Sequence, residues 1–439
     1  MPWPCEGEEL ISSDSHYRRN FTCFVLDYVF FGVGMAFVGQ TTVLPSFISQ
    51  LTDSAPLIGL ASTVQTGAWL LPQLIAASYL ADKDRKKPYI LLPAALGRPV
   101  FWLLAGVLFL PGDRPPTLIL GLFFVSLAIF MGTDALASVA WFDVLSKAIP
   151  PTRRGRLIGA GQVLSGLLTV GVGAVVTALL GPQGPPFPHN YALLFFLAGM
   201  AFFASWLAIS FLREPVKPTQ AKRLPWNTFL PKLLTVLREN RAFSLVTALR
   251  LLTGLSGMAM PFYVIYATEE LHFGAEAIGL FISSQVVGSI LAGFVLGYLN
   301  ERSGSRIVIQ CSTILSLASP LLAVLIRPIG HLAGTSTIYV YSLIFLAIGA
   351  LNSSYMSGFM NFVLELAPPE ERPTYIALTN TLCGVLLLAP FLGGWLLQAT
   401  SYPVLFAATL GGVALGLILT FRLEEPRQKN SEPTKQQPT

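Results

Sequence analysis

The sequence predicts an all-α integral membrane protein: about twelve transmembrane helices in two pseudo-symmetric six-helix bundles, with both termini cytoplasmic. Three observations carry that expectation. The 439 residues are 53% hydrophobic and only 12% charged, roughly half the charged fraction of a soluble domain, and the mean hydropathy is +0.63. Apolar runs long enough to cross a hydrocarbon core of about 30 Å recur along the whole chain. Short stretches of the first half return, altered, in the second. The alternating ten-residue segments of a β-barrel are absent.

Taken in order, the apolar runs bounded by charge or by Gly/Pro clusters are 21–48, 56–80, 89–110, 116–147, 157–180, 191–212, 242–268, 275–299, 306–327, 336–364, 375–398 and 401–421. The stretch "GPQGPPFPHN" between the fifth and sixth is a plain breaker. Residues 1–20 are polar and acidic, unlike a cleaved leader. The expected division is a cytoplasmic N-terminus (1–20), a first bundle (21–212), a cytoplasmic linker (213–241), a second bundle (242–423) and a disordered tail (424–439) rich in Pro, Gln and Lys. Within the linker Phe229, Leu233 and Leu237 recur four apart, the pattern of a short helix lying on the membrane surface.

Charge sets the orientation. A net charge of +5 and a pI near 9.0 would suit a nucleic-acid partner, but the basic residues sit in short loops between apolar runs, so no nucleic acid is expected. Of the 28 Lys and Arg, only Arg114 and Arg327 fall in one set of alternate loops, and Arg98 and Arg250 lie inside runs. All the others lie at the N-terminus, in the opposite loops or in the tail. Cytoplasmic loops carry the excess of Lys and Arg, which places both termini inside. The densest cluster is Asp82, Lys83, Asp84, Arg85, Lys86 and Lys87, between the second and third runs.

That cluster belongs to a repeat. "SYLADKDRKKP" aligns with "GYLNERSGSRI", "IPPTRRGRLIG" with "APPEERPTYIA", and "IGLASTVQ" with "IGLFISSQ", all at a near-constant separation of about 219 residues. Two homologous halves of six spans each account for this. Gly297, Glu301, Arg302, Gly304 and Arg306 then form a pattern that resembles the loop signature of the major facilitator superfamily, Gly-x-x-x-Asp-Arg-x-Gly-x-Arg. The first half keeps Asp82, Lys83 and Lys86 but has Ser78 for the leading Gly and Arg85 for the second. The resemblance implies a transporter fold and a cytoplasmic charge latch that changes partners between two states. The residues it implies are Asp82, Lys83, Lys86, Asp143 and Arg154 in the first half, and Glu301, Arg302, Arg306, Glu365 and Arg372 in the second. A solvated loop that only fixes topology is the plainer reading of the same residues.

Charges at bilayer depth cost about 2.5–3.5 kcal/mol each on insertion scales, so they mark a pathway or a pair. Four qualify: Asp27, Arg98, Asp134 and Arg250. Asp27 lies about 9 Å into the first span and Arg250 about 12 Å into the seventh, and the family resemblance implies that these spans face each other, so the two are expected to pair across the halves in one state. Arg98 and Asp134 stand at similar depth and are expected to pair within the first half. Asp134 is the leading candidate for a proton carrier or a ligand of a cationic solute, and its repeat mate is Asn352. Gln65 and Gln285 are repeat mates at mid-membrane, with Trp69 one turn from Gln65. They suit either a polar organic substrate or simple interhelical hydrogen bonding.

Other classes fit less well. "GLSG" at 254–257 resembles the nucleophile motif of rhomboid proteases, but that chemistry needs an intramembrane His, and His16, His189, His272 and His331 all fall outside the spans. The cysteines Cys5, Cys23, Cys311 and Cys383 have no metal-like spacing, and no phosphate-binding Gly-x-x-x-x-Gly-Lys motif occurs. The fifth span is Gly-rich, as in drug/proton antiporters, but has no Pro there. "RKKPYIL" faintly resembles a loop of cation–sugar symporters. The expected function is proton-coupled secondary transport of a small organic solute by alternating access, with efflux of drug-like or metabolite compounds favoured over cation-coupled sugar symport. An intramembrane enzyme or a non-transporting receptor is the alternative from another class. No cofactor or metal is expected. The partners are the solute, protons and the lipid bilayer of a plasma or inner membrane, and the protein is expected to act as a monomer.

Overall fold

A computed structural model describes residues 6–80, 83–112, 114–215, 238, 240–367 and 372–425. The linker helix expected around Phe229, most of the tail and Asp82 lie outside the described residues. The helices of the first half are α1 (Glu6–Val38), α2 (Val43–Ser49), α3 (Ala55–Leu80), α4 (Pro88–Gly97), α5 (Val100–Phe109), α6 (Pro116–Ala148), α7 (Pro151–Leu180) and α8 (His189–Ser210). The second half holds α9 (Arg241–Gly254), α10 (Phe262–Glu269), α11 (Ala277–Ser303), α12 (Ser305–Ala333), α13 (Thr337–Tyr355), α14 (Asn361–Leu366), α15 (Arg372–Cys383), α16 (Ala389–Ala399) and α17 (Tyr402–Thr420). Among the described residues eleven stretches are long and apolar enough to cross a membrane, and the 26-residue α3 stands at the remaining expected position. The architecture is the all-helical, roughly twelve-span one that hydropathy predicts.

Several spans are built from two helices, and the breaks have local causes. Gly39 takes φ +54 between α1 and α2, a left-handed conformation that a side chain resists. Pro99 follows Arg98 where α4 passes to α5, since Pro lacks the N–H that a continuous helix needs. Asn240 caps α9, its side chain accepting from the Phe243 N–H at 3.0 Å. Between α13 and α14 the chain makes a π-helical turn over Met356–Met360, an irregularity common at functional sites. The corresponding span of the first half, α6, runs unbroken for 33 residues.

Contacts divide the chain into two compact units. The first comprises Met1–Asp53, Ala61–Arg223 and Gly274–Ile282; the second comprises Ser54–Leu60, Leu224–Phe273 and Ser283–Thr439. In the first, α1 packs on α7 and α8, α4 on α6, and α5 on α8. Phe24, Leu80, Ala140, Val144, Leu157 and Ile209 form one core cluster there. Gly279 belongs to this unit because the Gly173 carbonyl occupies the space where its Cβ would stand, and the Thr177 hydroxyl donates to the Glu276 carbonyl at 3.1 Å. In the second unit α12 packs on α13 and α17, and α9 on α17. Gly59 lies against the Pro390 carbonyl in the same way, and the Ala55 N–H donates to Gln398 at 3.0 Å. Leu71, Ile75, Leu96, Leu103, Phe294 and Trp395 point outward, as side chains do where the surrounding solvent is hydrocarbon.

Candidate functional site

A cavity of about 540 Å³ opens within the first unit, lined from α1, α3, α4, α6 and α7 and the turn residues Gln40 and Arg98. That volume falls in the range of small-molecule sites, roughly 300–1,000 Å³. Three charged side chains line it: Asp27, Arg98 and Asp134. Asp27 is 5% exposed and fully engaged. Its Oδ1 accepts from the Ser205 hydroxyl at 2.5 Å, its Oδ2 accepts from the Trp141 indole at 2.7 Å, and the Arg98 guanidinium stands 3.7 Å from Oδ1. Arg98 also donates to the Phe202 carbonyl at 3.0 Å and lies over the Phe31 ring. Arg98 thus takes Asp27 as its ion-pair partner and not Asp134, which corrects the expected first-half pairing. The reason is placement: Arg98 sits at the α4–α5 break, where it meets α1 and α8. Asp27 is held by partners from its own half.

Asp134 differs. It is half-buried on the cavity wall, and its Oδ2 accepts from the Trp69 indole at 3.1 Å. Arg98 reaches it only through longer-range attraction. Gln65 lies one turn before Trp69 on α3 and also lines the cavity. It is 3% exposed, and neither its amide nitrogen nor its oxygen has a hydrogen-bond partner among the described residues. Leaving a buried polar group unpaired costs about 1–3 kcal/mol, so simple interhelical bonding does not account for Gln65 here.

In the second half Arg250 stands half-buried on α9. Its guanidinium donates to the Tyr355 hydroxyl at 2.6 Å and to Asn380 at 3.3 Å, and stacks over the Tyr355 ring at 4.7 Å. Asn352, the repeat mate of Asp134, is exposed. Gln285, the mate of Gln65, is half-buried where its carbonyl touches Gly349. Trp141, Ser205, Tyr355 and Asn380 carry no charge, so a pattern of intramembrane charges does not mark them.

The family model described as Major Facilitator Superfamily matches residues 251–439. The second half of the chain is thus similar to that superfamily. The likeness of the chain to known proteins is distant. An uncharacterized protein of Mycobacterium tuberculosis is 24% identical over 299 residues, covering 65% of this chain and 57% of that one. The chain therefore spans little more than half the length of that relative. The enterobactin exporter EntS of Shigella boydii is 25% identical over 405 residues, covering 89% of each. The crystal structure of the nucleoside transporter NupG shares the fold, with TM-score 0.63, 15% identity, and coverage of 92% of this chain and 98% of that one.

The loops that resemble the superfamily's signature can be followed residue by residue. In the first half Lys86 meets Asp143 at 2.5 Å, and Lys147 meets the other oxygen of Asp143 at 2.8 Å. Lys83 lies over the Tyr79 ring. Arg154 donates to the carbonyls of Ile149 at 3.0 Å and Ser146 at 2.7 Å, closing the end of α6. In the second half Glu365 accepts from Ser305 at 2.7 Å, Arg302 donates to Tyr298 at 3.0 Å, Glu301 is exposed, and Arg372 opens α15. Gly304 takes φ +85, which explains the second Gly of the signature. Among the described residues Arg85, its counterpart, has no such conformation.

Each loop is also held by an acid that the sequence reading missed. Glu214 accepts the backbone N–H groups of Lys86 at 2.7 Å and Lys87 at 2.8 Å. Glu425 accepts the N–H of Arg306 at 2.9 Å and lies against Gly304. Lys87 reaches across to the carbonyls of Ser210 and Leu212, each at 2.7 Å. Burial pushes its ammonium below the usual lysine pKa, and Arg19 adds to that shift. The signal was present: "LREP" at 212–215 and "LEEP" at 423–426 are a further repeat, each following a sixth span.

Proposed function

We propose that the chain is a secondary transporter that moves a small organic solute out of the cell by alternating access, coupled to protons through Asp134. One observation carries the reading: the cavity presents a carboxylate that is reachable by solute and held by a single indole, beside a second carboxylate already neutralised. Such a group can take a proton or a cationic partner in turn, and its affinity for either depends on what surrounds it. Likeness to an exporter over most of both chains supports the outward direction. The charge cluster of Lys86, Asp143 and Lys147 supports the proposed latch, because paired charges at helix ends can be exchanged between two arrangements.

Flux tests this. In proteoliposomes loaded with a pH-sensitive dye and challenged with metabolites, sugars and cationic dyes, the wild-type chain moves protons when its solute is added. Asp134→Asn loses gradient-driven accumulation but retains solute exchange. Unchanged uphill accumulation by Asp134→Asn removes that residue from the coupling step.

A further inference from the structure

The proton reading leaves two features of the cavity unexplained: its charge balance and the unpartnered amide of Gln65. Of the three charged side chains on the wall, Arg98 is spent on Asp27 at 3.7 Å. One carboxylate, Asp134, remains without an ion-pair partner at short range, so the formal charges of the lining sum to one negative. A charge moved out of water into such a cavity needs a counter-charge, which Asp134 offers to a cation and denies to an anion. The same cavity is lined by the aromatic side chains Trp69, Trp141 and Tyr28, and aromatic faces attract a desolvated cation. Met35 and Met131 add pliable apolar wall.

Gln65 adds a second point of recognition. It shares a face of α3 with Trp69, one turn away, so its amide lies about 6 Å along the helix from the indole that marks Asp134. Both of its polar atoms lack a partner while the side chain is nearly excluded from water. A site built this way favours ligands that bring a polar group to that place.

We propose that this cavity takes an amphiphilic organic cation, its positive charge against Asp134 among the aromatic rings and a hydrogen-bonding oxygen or nitrogen, about one helical turn away, against Gln65. This rests on the reading of the cavity as the transport site, but it is tested by binding and not by flux.

The probes are tetraphenylphosphonium and tetraphenylborate, alike in size and shape and opposite in charge. Binding is measured to the purified full chain in nanodiscs, with empty-nanodisc binding subtracted. The cation binds at least tenfold tighter than the anion. Asp134→Asn, which keeps an acceptor for the Trp69 indole, weakens the cation about tenfold and leaves the anion unchanged or tighter. Trp69→Leu weakens the cation several-fold, which guards against a misfolded Asp134 variant. A second pair, 2-hydroxyethyl- and ethyl-triphenylphosphonium, tests the amide: the hydroxyl form binds several-fold tighter, and Gln65→Leu abolishes the difference. Equal affinity for the two tetraphenyl ions, or an unchanged cation affinity in Asp134→Asn, overturns the charge assignment. Equal affinity for the second pair overturns the role of Gln65. Cation binding without any solute flux in proteoliposomes sinks the transport reading and leaves the ligand class standing; flux of other solutes with no cation binding does the reverse.

Discussion

The two halves share short sequence stretches at a near-constant spacing, yet they place opposite charges in the membrane. The first half buries Asp27 with Arg98 and exposes Asp134 to a cavity. The second holds a half-buried cation, Arg250, among neutral partners, Tyr355 and Asn380. Where the first has Asp134 the second has Asn352, and where the first runs α6 unbroken the second makes a π-helical turn. The difference teaches a division of labour. The surroundings of a carboxylate can shift its proton affinity widely, whereas a guanidinium stays charged. The half with Asp134 lines the cavity described above, and the other carries Arg250 cushioned by an aromatic ring and an amide.

The largest effect expected from breaking this contrast is on stability. Removing one member of a buried ion pair costs about 3–5 kcal/mol, because the other is left uncompensated. Arg98→Gln and Asp27→Asn are each expected to lower the melting temperature of the detergent-solubilised chain sharply. The double variant should be less destabilised than the sum of the two, since neither charge is then stranded. Additive losses would mean that the 3.7 Å approach contributes nothing and that Ser205 and Trp141 alone hold Asp27. Asp134→Asn offers the complement, with melting nearly unchanged and gradient-driven transport lost.

How much of this was readable in advance depends on which physical signal was available. The spans were legible because a stretch of about 20 apolar residues has few other uses. The repeat was legible because loop residues recur at one spacing. Asp27, Arg98, Asp134 and Arg250 stood out because charge in hydrocarbon is expensive. Their partners were not legible. Whether Arg98 turns to Asp27 or to Asp134 is decided by the break at Pro99 and by the packing of α5 on α8, and hydropathy carries no information about either. The neutral partners Ser205, Trp141, Tyr355 and Asn380 look like ordinary residues of apolar spans until the fold brings them to a charge. Glu214 and Glu425 were legible in principle, since each precedes a Pro after a sixth span.

Those two acids sharpen the comparison at the membrane surface. Glu214 accepts two backbone N–H groups at the start of α4, and Glu425 accepts one at the start of α12. Hydrogen bonds to a charged group contribute about 1.5–3 kcal/mol. Glu214→Ala is therefore expected to lower melting by more than Glu425→Ala, and to speed hydrogen exchange at the Lys86 and Lys87 amides. If the two variants melt alike and exchange is unchanged, the acids only set surface charge.

The smallest effect concerns Arg250. Lysine keeps the charge but loses the planar fork that bonds Tyr355 and Asn380 together and stacks on the ring. Arg250→Lys should therefore lower stability by only about 1 kcal/mol. Tyr355→Phe should lower it by a similar amount, because it removes the hydroxyl at 2.6 Å and keeps the ring. The two losses should not add, since both break the same bond. A fixed cation needs only its charge and its cushion, so both variants should still support solute exchange, while Arg250→Gln, which removes the charge, should not. Exchange surviving in Arg250→Gln would show that the second half contributes shape rather than charge, and the electrostatic division between the halves would fail.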